Sequence, residues 1–170
     1  VVDAGPLPPS DLERDETAIG VAGSHVEVLG STVMGHVVCR TLDASDAIFD
    51  GDIAVERIQK GCLRTSYAAA TGPLPRRYRC QPDLALHTAR AGGVLSAADE
   101  AWIRARVVPS FRSRRFADPD YARLATHAPA ELLLGAGDGA SMGAYWHAKR
   151  GVRTDNLRSA FPEHVRFGMR

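Results

Sequence analysis

The chain has 170 residues, of which 24% are charged, and its formal net charge is +1. This length fits one domain, or at most two small ones, and allows a substantial buried core. The near-neutral charge excludes a histone-like or polybasic protein, and no apolar run is long enough for a membrane-spanning helix.

The small net charge hides a division of the chain. Residues 1–60 hold 11 acidic and 4 basic residues, whereas residues 61–170 hold 9 acidic and 17 basic residues. Because opposite charges attract, this split favours docking of one region onto the other, either within one chain or between neighbouring copies.

The N-terminus and the cysteines bear on processing and location. The chain begins with Val1 rather than Met, which predicts a processed product or a fragment. Its acidic start lacks the apolar segment of a secretory signal. Cys39, Cys62 and Cys80 form no CxxC motif, and their odd number favours free thiols, with a Cys62–Cys80 bridge as the alternative. We therefore expect a cytoplasmic location, in which the chain can be part of an assembled particle.

The first two stretches differ in composition. Residues 1–18 are rich in proline and acidic residues, which predicts a flexible arm. Residues 19–67 contain short runs of alternating apolar and polar residues separated by glycines, a pattern typical of strands.

A repeat of 16 residues runs through the strand-rich stretch and places Gly51 on Gly35. The other aligned pairs are Thr32 with Ile48, Val33 with Phe49, Val37 with Ile53, Val38 with Ala54, Cys39 with Val55, Leu42 with Ile58, Val21 with Val37, Val26 with Leu42, and Val28 with Ala44. Such a period predicts coils of short strands that stack on one another and bury a common core. The alternative is an antiparallel sheet with evenly spaced hairpins.

The remaining residues suggest a connection and then helices. Residues 68–95 contain three prolines and a basic cluster, which predicts a connecting segment. In residues 96–170, Ser96 is the expected N-cap of one helix, and further helices are expected from Pro119, from Pro129, over residues 139–148 and near the C-terminus. The predicted fold is α+β: a short stacked-strand (β-helix-like) N-terminal layer followed by a mixed, mainly helical C-terminal part.

Three stretches resemble a family of large bacterial proteins with β-helix-like sequence, encoded near contractile (phage-tail-like) injection systems. They are residues 58–64, 75–82 and 137–145, the last continuing through His147 towards residues 166–168. The resemblance covers about residues 30–170 and implies the end of a longer polypeptide. It assigns no catalytic residue, because the activity of the family is not established. The chain departs from the family pattern at residues 149–152, which lack the family's proline, and in ending soon after residue 168.

The glycine-rich run at residues 135–143 has the exposed amides of an anion-binding loop. However, no strand precedes it and no GKS or GKT sequence follows, so glycines that end a helix and permit close packing are favoured. Asp138 is then a turn or cap residue. His147 could act as a base paired with Asp138 or Glu163, although a structural hydrogen bond is favoured.

Two further groups carry charge patterns of interest. Asp50 and Asp52 flank Gly51 and could serve as acid and base on a sugar, but the chain is only 6% aromatic, and turn roles are favoured. The candidate interaction residues form one basic cluster of Arg76, Arg77, Tyr78 and Arg79. Together with Arg112, Arg114 and Arg115 they resemble a grip on single-stranded nucleic acid, but docking onto the acidic strands explains them equally well.

These patterns together predict a non-enzymatic structural or interaction module whose partners are proteins or further copies of the chain. No metal-ligand spacing or cofactor motif is present in the sequence, and we expect neither a metal nor a cofactor. The resemblance implies a phage-tail-like particle as the setting. The first alternative is a carbohydrate-active enzyme on a β-helix, and the second is a nucleic-acid-binding module.

Overall fold

The computed structural model describes residues 1–3, 17–69, 72–116 and 118–145. The strands within these residues are β1 (Val2–Asp3), β2 (Thr17–Leu29), β3 (Thr32–Met34), β4 (His36–Ser45), β5 (Ile48–Phe49), β6 (Ile53–Val55), β7 (Gly61–Arg64), β8 (Tyr67–Ala68) and β9 (Arg76–Tyr78). The helices are α1 (Asp83–Ala91), α2 (Ala97–Arg106) and α3 (Ala130–Leu133).

The strands wind into a stack of coils with two parallel sheets. Sheet A has the order β1-β3-β5-β8, and sheet B has the order β2-β4-β7-β9 with β6 beside β4. The first coil is β1 and β2, the second β3 and β4, the third β5 to β7, and the fourth β8 and β9. All pairings between these strands are parallel, which confirms the stacked-strand prediction and excludes the antiparallel alternative.

Most of the predicted 16-residue register is found. Val33 pairs with Phe49, Val37 with Ile53, and Val28 with Ala44. A Cβ at Gly51 would lie under 3.0 Å from the backbone of Gly35, so these two glycines are stacked as predicted.

Two predicted pairs are wrong. Val21 pairs with Cys39 rather than Val37, because β2 contains a register shift between Val21 and His25. Leu42 pairs with Gly61 rather than Ile58, because the turn that precedes β7 holds additional residues outside the ladder. The strands of successive coils are therefore aligned, but the number of residues in a coil varies.

The two larger clusters of buried side chains in the described residues lie on either side of sheet A. The inner core lies inside the coils and contains Phe49 of β5. The outer core lies between sheet A and the helices and contains Ile48, the neighbour of Phe49 in the same strand. Since successive side chains of a strand point to opposite faces, sheet A is shared by both cores.

One corner of each coil requires a left-handed residue. Gly30, Asp46, Thr65 and Arg79 each follow a strand of sheet B and have φ of 50°, 55°, 43° and 52°. The Asp46 amide donates to the Arg64 carbonyl, and the Thr65 amide donates to the Tyr78 carbonyl, so each of these two corners is bonded to the next coil. Three of the four corners carry a side chain despite the cost of this conformation.

The connection predicted for residues 68–95 needs correction. It contains the end of β8, all of β9 and α1, so the strand stack extends beyond residue 67. Pro73 and Pro75 do keep this region non-helical up to β9, as expected. They leave the following residues free to add a strand to the exposed edge of β7.

The C-terminal part contains helices, but the described residues do not show it to be mainly helical. Ser96 caps α2 through a capping box with Asp99, and Pro129 precedes α3, both as predicted. The helix expected from Pro119 is wrong, because residues 121–125 instead exchange backbone hydrogen bonds with residues 110–113. Residues 139–145 of the next expected helix form turns, and the rest of that helix, the C-terminal helices and part of the arm lie outside the described residues.

The cysteines are free, so Cys62 and Cys80 do not form the alternative bridge. Burial raises the pKa of the Cys39 and Cys80 thiols, which keeps both protonated near neutral pH. None of the described helices combines the length and the apolar character needed to cross a bilayer.

Candidate interaction surface

The side of sheet B that faces away from the inner core is here named the outer face of sheet B. Val28, Ala44 and Leu63 are buried and in register, so the residues on either side of them along each strand point outwards. Two columns of outward-facing residues result, each with one residue from each coil. Column 1 is Glu27, Asp43, Cys62 and Arg76, and column 2 is Leu29, Ser45, Arg64 and Tyr78.

Charge changes sign along the outer face. Glu27 and Asp43 lie on the first two coils, and Arg64 and Arg76 lie on the last two. The ring of His25 is 3.8 Å from the Asp43 carboxylate. Glu27, in contrast, makes no ion pair with another described residue. The face is therefore acidic at one end of the stack and basic at the other.

The basic patch is defined as Arg64, Arg76 and Tyr78 of the basic half, together with the exposed Arg79 at the corner that follows β9. Tyr78 is 61% exposed. The three guanidinium groups make no ion pair or hydrogen bond with any other described residue. Other described arginines form the pairs Arg40–Glu56, Arg77–Asp83, Arg90–Glu100, Arg106–Glu131, Arg112–Asp120, Arg114–Asp50 and Arg123–Asp120. The remaining described arginine and lysine side chains without a described acidic partner are Arg57, Lys60, Arg104 and Arg115.

The structure divides the basic cluster identified in the sequence. Arg77 is in register with buried Leu63 and forms an ion pair of 2.9 Å with Asp83 at the start of α1. Its side chain therefore lies on the opposite side of β9 from Arg76 and Tyr78, outside the basic patch. Arg64 joins the patch because it pairs with Tyr78 across neighbouring coils. Arg64 was not identified from the sequence, because the pairing of β7 with β9 departs from the 16-residue period that would have revealed it.

A groove lies along β6 and the adjoining parts of β2 and β4. Its volume is about 570 Å³. Its lining is mainly apolar and includes Val38, Ala54 and Pro73, and Glu56 is the one carboxylate among the described lining residues. A single carboxylate does not supply the acid and base pair of a glycoside hydrolase.

Asp50 and Asp52 contact different residues. The Asp50 side chain is 14% exposed and is held by both terminal nitrogens of Arg114, whose guanidinium also lies 5.1 Å from the Phe111 ring centre. Asp52 is 80% exposed and lies 4.0 Å from the His36 ring. The two carboxylates are thus not directed at one ligand. The Arg114–Asp50 pair is an ion pair between the basic C-terminal region, residues 61–170, and the acidic N-terminal region, residues 1–60.

The glycine-rich run packs against the stack. The Gly137 amide donates to the Asp46 carboxylate at 2.7 Å, and the Thr65 hydroxyl donates to the same carboxylate. Asp138 accepts a hydrogen bond from the Ala140 amide, a turn geometry. An amide that could bind an external anion is thus taken by the chain's own carboxylate. His147 lies outside the described residues.

The ion pair of Arg106 with Glu131 is expected to stabilise the fold. The Arg106 hydrogen bond lowers the pKa of Glu131. A lowered folded-state pKa adds stability above the unfolded pKa and loses it as pH falls through the folded value. We expect Glu131→Gln to lower the free energy of unfolding by about 0.2–1 kcal/mol at pH 7, and to have a smaller effect below about pH 4.

Urea titrations at both pH values measure this difference. In an Arg106→Gln background, Glu131→Gln should have a smaller effect at pH 7, because the ion pair is already lost. An equal effect of Glu131→Gln at both pH values would contradict this account.

The described residues contain no cluster of three or more His, Cys, Asp or Glu side chains able to hold a metal ion. Comparison with protein-family models, with curated proteins and with solved structures gave no match.

Proposed function

We propose that this chain is a non-enzymatic structural or interaction module that binds a protein through the outer face of sheet B. The basic patch is the observation that carries the proposal. Tyrosine and arginine are the residue types that most often dominate binding energy at protein interfaces. Because its arginines make no ion pair with another described residue, a partner's carboxylates can bind them without breaking such a contact.

We further propose that the module acts in a phage-tail-like contractile injection particle or its accessory machinery, assembled in the cytoplasm. The three stretches of family resemblance support this setting. The first two contain β7 and β9, which lie side by side and supply the basic patch. The third contributes Gly137, which binds Asp46 at a corner of the stack next to β7. In this proposal the helices cover sheet A and leave sheet B available.

The alternatives have less support. A carbohydrate-active enzyme needs two carboxylates directed at one sugar, and Asp50 and Asp52 are not so arranged. A nucleic-acid-binding module would use the same arginines and Tyr78. The experiment below separates it from a protein partner.

A photo-crosslinking amino acid in place of Tyr78 should give protein adducts in the source organism. The same group at Val94, fully exposed between α1 and α2, is the positional control and should give few. The adducts at position 78 should fall in Arg64→Gln/Arg76→Gln. They should persist in Arg104→Gln/Arg115→Gln, which also removes two charges without a described acidic partner but leaves the patch intact.

The nature of the adduct decides between the functions. Protein adducts that depend on Arg64 and Arg76 support the proposal. Adducts with nucleic acid, or yields at position 78 no higher than at Val94, contradict it.

A further inference from the structure

The outer face of sheet B is complementary to itself. The order from the first coil to the fourth is acid, acid, thiol, base in column 1 and Leu, Ser, Arg, Tyr in column 2. A two-fold axis in the plane of this face, parallel to the strands and between the second and third coils, reverses the order of the coils. The first coil of one copy therefore lies over the fourth coil of the second copy. Column 1 of one copy lies over column 1 of the other, and column 2 over column 2.

This rotation brings unlike groups together in column 1. Glu27 comes to lie opposite Arg76 of the second copy, and the symmetry repeats the contact at the other end. Packed sheets are about 10 Å apart, a gap that a glutamate and an arginine bridge from both sides. Each dimer would thus gain two charge pairs from groups that lack an ion pair within the described part of one chain.

Column 2 places apolar groups together at the same two ends. Leu29 is 60% exposed and comes to lie opposite Tyr78 of the second copy.

We propose that the partner of this surface is a second copy of the chain, which docks face to face to form a two-fold symmetric dimer. This inference rests on the proposed function and names its partner. A face built for an unrelated acidic protein needs only the basic half. The presence of Glu27 and Leu29 at the positions that mirror Arg76 and Tyr78 is what a self-docking face requires.

A charge exchange tests the dimer directly. Arg76→Glu places two carboxylates opposite each other in its own dimer, and Glu27→Arg places two guanidinium groups together. Each variant alone should raise the dimer dissociation constant at least about tenfold, because like charges then face each other. An equal mixture of the two variants should form a heterodimer, because both of its contacts between positions 27 and 76, one at each end, then join unlike charges. The double variant Glu27→Arg/Arg76→Glu, in which every such contact is again between unlike charges, should dimerise by itself.

Sedimentation equilibrium at low and high salt is the measurement, with circular dichroism to confirm that each variant is folded. Arg104→Glu, on the exposed side of α2, makes the same change in net charge as Arg76→Glu and should leave the dimer unchanged. High salt should weaken the wild-type dimer. Recovery of the wild-type dissociation constant in the double variant supports the inference.

Two results would overturn it: a wild-type chain that stays monomeric at low salt, or single variants that weaken the dimer without recovery in the double variant. Either result leaves the proposed function to the crosslinking experiment. An adduct of the crosslinker at position 78 with a different protein would then uphold the function and exclude the dimer.

Discussion

Replacing Gly61 by alanine should lower the free energy of unfolding by about 3 kcal/mol or more. Gly61 begins β7 with φ of 96°, a conformation that residues with a Cβ adopt only with strain. A Cβ at this position would also lie under 3.0 Å from the carbonyl of Leu42 in the preceding coil. The clash is with backbone, so it cannot be relieved by a change of side-chain rotamer.

Three further glycines separate the two causes. Gly23 has φ of 83° and nothing within 4 Å of an added Cβ, whereas Gly51 would clash with Gly35 without a left-handed φ. Gly72 has neither feature. We expect alanine to cost most at Gly61, less at Gly23 and Gly51, and nearly nothing at Gly72, as measured by urea unfolding. Equal losses at Gly61 and Gly23 would show that the coils are not in close contact at Gly61.

The glycines also show what a sequence can reveal about a stack of coils. The Gly35–Gly51 contact was predictable because the two coils have equal length at that point, so a constant period reproduces the pairing. Gly61 was not identified, because its coil holds additional residues outside the ladder. Apolar periodicity indicates which residues face inwards. It does not reveal how many residues form the turns between strands, and these set the pairing of the next strand.

The candidate surface was predictable to a similar degree. Arg76, Tyr78 and Arg79 are close in sequence and were identified together, whereas Arg64 joins them only through the pairing of β7 with β9. The same pairing removes Arg77 from the patch, because alternate residues of a strand face opposite sides. A basic cluster in sequence thus indicates a surface, but the register decides its members.

A local sequence signal can also predict a helix that does not form. Pro119 and Asp118 are a good local start for a helix, yet residues 121–125 pair with residues 110–113. Ser96 and Asp99, in contrast, form a capping box that no competing strand disturbs. Local signals therefore predict a helix well only where the backbone has no other hydrogen-bond partner within reach.

The second large effect is expected for Phe49→Ala, which should lower the free energy of unfolding by about 3–5 kcal/mol. Phe49 is 1% exposed and lies in the inner core between Val33 of the second coil and Ala68 of the fourth. Its removal would leave a cavity that these neighbours fill poorly, because they are held by the ladder of sheet A. The loss is a large share of the stability of a typical domain.

Phe49→Ala should also destabilise the helices that it does not touch. Ile48, its neighbour in β5, packs in the outer core with Leu132 of α3 and Ile103 of α2. Because both cores share sheet A, we expect one cooperative transition in which circular dichroism and tryptophan fluorescence, to which Trp102 of α2 contributes, shift together.

Leu132→Ala is the matched change in the outer core, and Val94→Ala, at a fully exposed position, is the control with no expected loss. If the cores are coupled, Leu132→Ala also shifts both signals together, although Leu132 lies outside the coils. A fluorescence transition that stays at its wild-type midpoint in Phe49→Ala, while the circular dichroism transition moves, would show that the coils and the helices unfold independently.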